Sequence, residues 1–319
     1  MHTLVYDDIT TAADRVAGHV RPVALAGPTE PGGVHLALEL MQHTGSFKAR
    51  GAQNFLLAHR EAGTLPDAGV TIASGGNAGL ACAWAAARQG VPATVFLPAT
   101  APRVKVARLR EYGADVRLVG TEYAEALAAC EEFASETGAL ASHAYDHPLI
   151  AAGAGTLLDE IRRQVPGLDT VVVSVGGGGL FAGVATAARH HGIRTVAVEP
   201  ENCRALDAAV RAGRPVDVTV DSVAADSLGA RRASATAVRA AQQEGVDSVL
   251  VPDTAIVRAR QALWDDRRLA VEHAAATALA AVARPGADVP DTAYRPAPGE
   301  TVCVVLCGAN TDPTDLVAP

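Results

Sequence analysis

Lys48 closes the run Thr44-Gly45-Ser46-Phe47-Lys48, which follows a β-like segment and precedes a helical one, so its amine is expected in a helix's opening turn. The positive end of the helix raises the cost of an ammonium there and favours a neutral amine or a charge-delocalised imine. Such a lysine can condense with a carbonyl or take a proton; the plainer alternative is a solvated lysine beside a turn. Two further loops could share its ligand. Ser74-Gly75-Gly76-Asn77 ends another β-like run and feeds a helix, so its amides, with the helix dipole behind them, can grip a carboxylate. Ser74 and Asn77 could equally be turn and cap residues with no ligand. Gly176-Gly177-Gly178-Gly179 follows the apolar run TVVVSV, and four consecutive glycines cost backbone entropy. A chain that must wrap a phosphate closely gives a reason for that cost.

A dinucleotide site competes for the third loop. Gly177-x-Gly179-x-x-Ala182 fits the fingerprint formally, and Glu199 ends the next strand. That reading leaves Lys48 and the Ser74 to Asn77 turn without a purpose, so one ligand shared by three loops is the better expectation.

The elements that must carry these loops alternate. Short β-rich runs at 34–40, 70–73, 93–97, 115–119, 170–175, 194–199, 248–251 and 301–307 are separated by helical stretches near 76–89, 102–112, 122–137, 149–164, 178–190, 233–244 and 271–283. This alternation predicts an α/β protein with parallel sheets covered by helices. The Pro- and Gly-rich stretch 284–300 reads as a surface loop, and a break near 140–150 as a domain crossing. His143, Tyr145, Asp146 and His147 cluster at that crossing, where they either line a cleft or are solvated turn residues.

With 319 residues, 49% of them hydrophobic, the chain can bury a sizeable core in two domains. Its formal charge of −8 and 4% aromatic content disfavour nucleic acid, and no run is long and apolar enough to span a membrane. The N-terminus lacks the basic start and apolar run of a signal peptide. Five cysteines without CxxC spacing fit reduced, buried thiols in a cytoplasmic protein.

Taken in order, TGSFKARGA, ASGGNAG, SVGGGGLFAG and CGANTD resemble the signature set of fold-type II pyridoxal-phosphate enzymes, specifically the threonine/serine dehydratase family. ARLREYGADV and HAYDHP-x-x-x-AG-x-GT extend the likeness over nearly the whole chain. The resemblance implies a two-domain fold, similar to tryptophan synthase β, in which each domain is a mainly parallel twisted sheet flanked by helices. Residues 1–60 with 147–319 would form the large cofactor domain, and 61–146 the small domain. Lys48 would hold pyridoxal 5'-phosphate as a Schiff base, Gly176, Gly177, Gly178 and Gly179 its phosphate, and Asn77 its 3-hydroxyl. Phe47 would pack beside the ring, and Cys307 would face the pyridine nitrogen. Ser74, Gly75, Gly76 and Asn77 would bind the substrate carboxylate.

The implied activity is elimination of water and ammonia from a small β-hydroxy amino acid such as threonine or serine, giving a 2-oxo acid. Lys48, once freed, would take the α-proton, and the cofactor phosphate would protonate the departing hydroxyl. A neutral Cys307 thiol cannot keep the pyridine protonated as an aspartate would, so the ring is a weaker electron sink and elimination is favoured over transamination. Related racemases carry a serine where this chain has Gly75, so little racemisation is expected. Racemisation, β-replacement, or a specialised hydroxy amino acid on the same scaffold remain the alternatives. His273, Ala309, Ala154 and the shortened Arg21-Pro22 depart from the family pattern. Some relatives bind a divalent cation through a glutamate and an aspartate; Glu199 fits the first, but Ala205 stands at the second, so no strong metal site is expected. The chain stops soon after CGANTDP, without length for a regulatory domain, so isoleucine control is not expected. Relatives suggest a homodimer. Ser227-Leu228-Gly229-Ala230 resembles a loop behind the site, with Gly229 approaching the cofactor.

Overall fold

The computed structural model describes residues 3–29, 32–283 and 293–317. The strands are β1 (Leu25–Ala26), β2 (His35–Ala37), β3 (Val70–Ala73), β4 (Ala93–Leu97), β5 (Asp115–Leu118), β6 (Leu140–Ala141), β7 (Thr170–Ser174), β8 (Arg194–Pro200), β9 (Val246–Val251) and β10 (Val302–Val305). They form a six-stranded sheet in the order β1-β2-β10-β7-β8-β9 and a four-stranded sheet in the order β5-β4-β3-β6. Every pairing is parallel except β1 with β2. Parallel strands are covered on both faces, which is why VVVS and ATVFL read as continuous apolar runs and are buried throughout.

The helices that matter for the site are α1 (Tyr6–Val16), α2 (Lys48–Glu61), α3 (Asn77–Gln89), α4 (Arg103–Glu111), α5 (Tyr123–Thr137), α6 (Pro148–Gln164) and α7 (Gly179–His190). They are followed by α8 (Ala205–Ala212), α9 (Ala225–Leu228), α10 (Ala235–Ala241), α11 (Asp253–Arg267) and α12 (His273–Ala280). One apolar cluster surrounds β7, β8 and β10 with α6, α7 and α12; a second surrounds β3 and β4 with α3. Ala49, Ala52, Phe55 and Leu56 of α2 belong to the second cluster, so the helix that begins at Lys48 is anchored on the smaller sheet's side.

The expected strand at 34–40 is shorter, because the chain leaves β2 into a 3-10 turn at Glu39–Met41 that points Glu39 inward. Residues 284–292 of the expected surface loop lie outside the described residues. Among the described residues no helix is long and apolar enough to cross a membrane.

Candidate active site

Two distant motifs are zipped together at the ends of β2 and β10. Phe47 N donates to Cys307 O at 3.0 Å, Leu40 N to Leu306 O at 3.0 Å, and Ala309 N to Gly45 O at 2.9 Å. Thr44 sits at φ 63, a left-handed conformation unusual for a β-branched residue. Its carbonyl accepts from Asn310 Nδ2 at 2.7 Å, a contact that helps hold the strained loop in place. Lys48 therefore opens α2 directly beside Cys307.

The Lys48 Nζ donates to Ala144 O at 2.6 Å and lies 5.0 Å from the centre of the Phe47 ring. Burial lowers its pKa to about 8, while Cys307 and Glu272 pull the other way. Desolvation is thus the largest cause of the lowered pKa. The Cys307 thiol is pushed up to about 12, by burial first and Glu272 second, and its Sγ lies 3.6 Å from Ser174 Oγ. At neutral pH it is an uncharged thiol.

The glycine turn joins β7 to α7 and lies under the segment that holds Lys48. Gly178 has φ +95, and a Cβ there would run into the Ala237 methyl; a Cβ on Gly177 would fall within the Tyr145 ring. Among the described residues the N–H groups of Gly176, Gly177 and Gly178 have no hydrogen-bond partner. Free amides in a turn opening a helix form an anion cradle. Tyr145 covers this turn, its hydroxyl donating to Arg232 O at 3.1 Å, while the preceding carbonyl holds Lys48. Leu228, the neighbour of Gly229 in its loop, packs on Gly176.

Asn77, the first residue of α3, is oriented from both ends. Its Nδ2 donates to Glu272 Oε1 and Oε2 at 2.8 and 3.0 Å, and its Oδ1 accepts from Asn310 Nδ2 at 2.7 Å. The N–H groups of Gly75 and Gly76 have no partner among the described residues, which suits a carboxylate ligand. Glu272 and Asn310, which orient Asn77 here, have no assigned place in the sequence reading, and Ser227 enters it only within the Ser227-Leu228-Gly229-Ala230 loop. Glu272 was visible only as the neighbour of an unusual histidine, and Asn310 only as part of CGANTD.

His143 Nδ1 accepts from Tyr145 N at 3.2 Å and Asp146 N at 2.8 Å, and His147 Nδ1 accepts from Leu149 N as the cap of α6. His147 is thus a turn residue, whereas His143 lies close enough to Lys48 for that charge to help lower its pKa, after burial. Glu199 is committed elsewhere: its two oxygens accept from Leu206 N at 2.7 Å and Asp207 N at 2.8 Å, capping α8. Among the described residues no group of three His, Cys, Asp or Glu is placed to hold a metal ion.

The sequence pattern of the family described as pyridoxal-phosphate dependent enzyme matches residues 21–308. The chain belongs to that family. It is 37% identical over 317 residues to an L-threonine ammonia-lyase of Geobacter sulfurreducens, covering 97% of this chain and 76% of the relative. It is 37% identical over 284 residues to a serine dehydratase-like protein of Rattus norvegicus, covering 87% of this chain and 85% of that one. The solved structure of maize serine racemase superposes with a TM-score of 0.86 at 28% identity, over 99% of this chain and 96% of that one. The fold is that of the fold-type II members of the pyridoxal-phosphate family, as expected, and the cofactor is pyridoxal phosphate. The residues present suit it, since the unpartnered glycine amides can take the phosphate and the desolvated Lys48 amine can take the aldehyde. In the loop before Lys48, Thr44 Oγ1 and Ser46 Oγ are buried without hydrogen-bond partners among the described residues.

Proposed function

We propose that this chain is a threonine/serine ammonia-lyase, removing water and ammonia from a small β-hydroxy amino acid. The observation that carries the reading is the position of Lys48: a desolvated amine, held at 2.6 Å by Ala144 O, on the segment that continues into Tyr145 over the glycine turn. Lys48 would attach the cofactor, Gly176 to Gly179 would hold its phosphate, Asn77 its 3-hydroxyl, and Phe47 and Cys307 would flank the ring. When bound, pyridoxal phosphate supplies the electron sink that acidifies the substrate's α-C–H. The amides of Gly75 and Gly76, with Ser74 and Asn77, would fix the substrate carboxylate. Lys48, whose lowered pKa of about 8 leaves a large fraction of the amine uncharged near that pH, would take the α-proton as general base. Cys307, an uncharged thiol, offers no anion to the ring nitrogen, which favours elimination over chemistry needing a long-lived carbanion.

The residues fall into a large cofactor-binding unit, 1–60 with 147–319, and a small unit, 61–146, in this reading. The separate four-stranded sheet supports that division, and α2 bridges the two. We also propose a cytoplasmic homodimer, to be checked by sedimentation equilibrium. Racemisation is the second reading, favoured by the structural likeness to maize serine racemase.

One panel tests these readings. Purified holoenzyme is given L-threonine, L-serine and bulkier β-hydroxy amino acids, and oxo acid, ammonia and the enantiomer of each substrate are assayed. Threonine and serine differ by one methyl, worth about 1–3 kcal/mol of discrimination, so both are included. Oxo acid with equimolar ammonia supports the lyase; an enantiomer forming as fast as oxo acid overturns it. Borohydride reduction should leave the cofactor on Lys48.

A further inference from the structure

Glu272 is 4% exposed, and its carboxylate collects donors from three separate elements. Asn77 Nδ2 reaches it from α3 at 2.8 and 3.0 Å, Ser227 Oγ from α9 at 2.9 Å, and Asn310 N from the loop after β10 at 2.8 Å. Its own N–H donates to Gly308 O at 3.1 Å, and a Cβ on Gly308 would lie 3.0 Å from both carboxylate oxygens, so the glycine leaves the room the carboxylate uses. Glu272 also stands at the N-cap position of α12, without a side-chain bond to its first turn, where the positive helix end favours a negative charge. Every donor is neutral. Among the described residues no cation forms an ion pair with Glu272, although a carboxylate buried this deeply is normally paired. The charged and titratable groups that sense it are Lys48 at the start of α2 and the Cys307 thiol after β10, and His143 in turn senses Lys48.

We infer that Glu272 is a positioning residue that also acts electrostatically, fixing the Asn77 amide and supplying the negative charge that balances a cationic nitrogen at Lys48. The inference rests on the function proposed above and adds to it. The Asn77 Nδ2 is committed to the carboxylate and the Oδ1 to Asn310, so the Asn77 side chain is held in a single orientation. The same carboxylate opposes part of the desolvation that drives Lys48 toward neutrality. With Cys307 uncharged, Glu272 is a carboxylate among the described residues that can stabilise positive charge on the Lys48 nitrogen, as the ammonium or once it is condensed with the cofactor aldehyde.

The test compares wild type, Glu272→Gln and Glu272→Asp in two readouts. In cofactor-free protein, the rate of Lys48 condensation with pyridoxal phosphate is followed against pH. In holoenzyme, the visible band is titrated against pH. Losing the charge in Glu272→Gln should lower both midpoints by about one pH unit, and Glu272→Asp should restore most of the shift. A purely structural role would weaken cofactor binding and leave the midpoints in place, and that result overturns the inference. If Glu272→Gln does not fold, Ser227→Ala replaces it. Stripping one neutral donor leaves the anion less compensated and should raise the Lys48 midpoint; an unmoved or lowered midpoint overturns the inference. Failure of the wild type to attach the cofactor at Lys48 would instead sink the proposed function itself.

Discussion

A methyl of Leu97, at the end of β4, stands 2.7 Å from where the Cβ of a side chain on Gly75 would begin. The glycine and the leucine fill one space between them. A serine at 75, the residue that the family resemblance assigns to racemases, would have to push Leu97 aside before its hydroxyl could face the substrate. Gly75→Ser is therefore expected to lose about tenfold in kcat/KM for elimination, or about 1.4 kcal/mol, without gaining racemisation. Gly75→Ser combined with Leu97→Ala clears the space and should racemise faster than either single variant. Chiral chromatography of residual substrate, alongside the oxo-acid assay, checks both.

Lys48 gives a pH signature to the cofactor-free protein. Its ordinary pKa of 10.5 falls to about 8 on folding, chiefly by burial. Between those values the unfolded chain holds the proton that the folded chain has released, so stability rises with pH through that window and is lowered below it. Lys48→Met removes the buried amine. The variant is expected to melt above wild type at pH 7, with the gap closing as pH rises from 8 to 10.5. Calorimetry across that range checks the sign. The same variant should show no borohydride-stable cofactor and at least a roughly hundredfold loss of lyase activity, the scale of a missing general base.

Much of this architecture is legible in the sequence, and what is not has a physical reason. The expected runs at 70–73 and 93–97 coincide with β3 and β4, because fully buried parallel strands write themselves as unbroken apolar segments. Helix α11 gives no such signal. Arg260 points inward from it, 3% exposed, bonding Val271 O and Asp315, so a charged letter occupies a core position and the apolar stripe is broken. In the site, Lys48 and the glycine run stand out through local chain chemistry. Glu272 does not, since its donors Asn77, Ser227 and Asn310 come from 195, 45 and 38 residues away. A carboxylate with only distant partners has no local pattern.

Gly178 tests the phosphate cradle. An alanine there meets two obstacles, the left-handed φ of +95 and the Ala237 methyl. Strain of this kind costs about 1–3 kcal/mol and should appear as about ten- to a hundredfold weaker binding of pyridoxal phosphate. Pyridoxal, which lacks the phosphate, should bind Gly178→Ala and wild type alike. Equal losses for both ligands would mean that the turn supports the fold rather than the phosphate. Equilibrium dialysis of the two ligands separates these outcomes.

Arg50, two residues beyond Lys48 on α2, is fully buried between two carboxylates. Its Nε and Nη2 each donate to Glu39 at 2.8 Å, and its Nη1 and Nη2 reach Glu160 at 2.7 and 2.9 Å. This fork ties the Lys48 helix to the turn after β2 and to α6. Removing one member of a buried charge network leaves the others uncompensated, so Arg50→Met should cost about 3–5 kcal/mol. Arg50→Lys keeps the charge but loses the bidentate geometry and should fall between the two. Adding Glu39→Leu to Arg50→Met removes one stranded carboxylate and should recover part of the loss. If urea unfolding of the cofactor-free proteins shows Arg50→Met within about 1 kcal/mol of wild type, the network is not what anchors α2; that threshold is roughly the most a surface pair contributes.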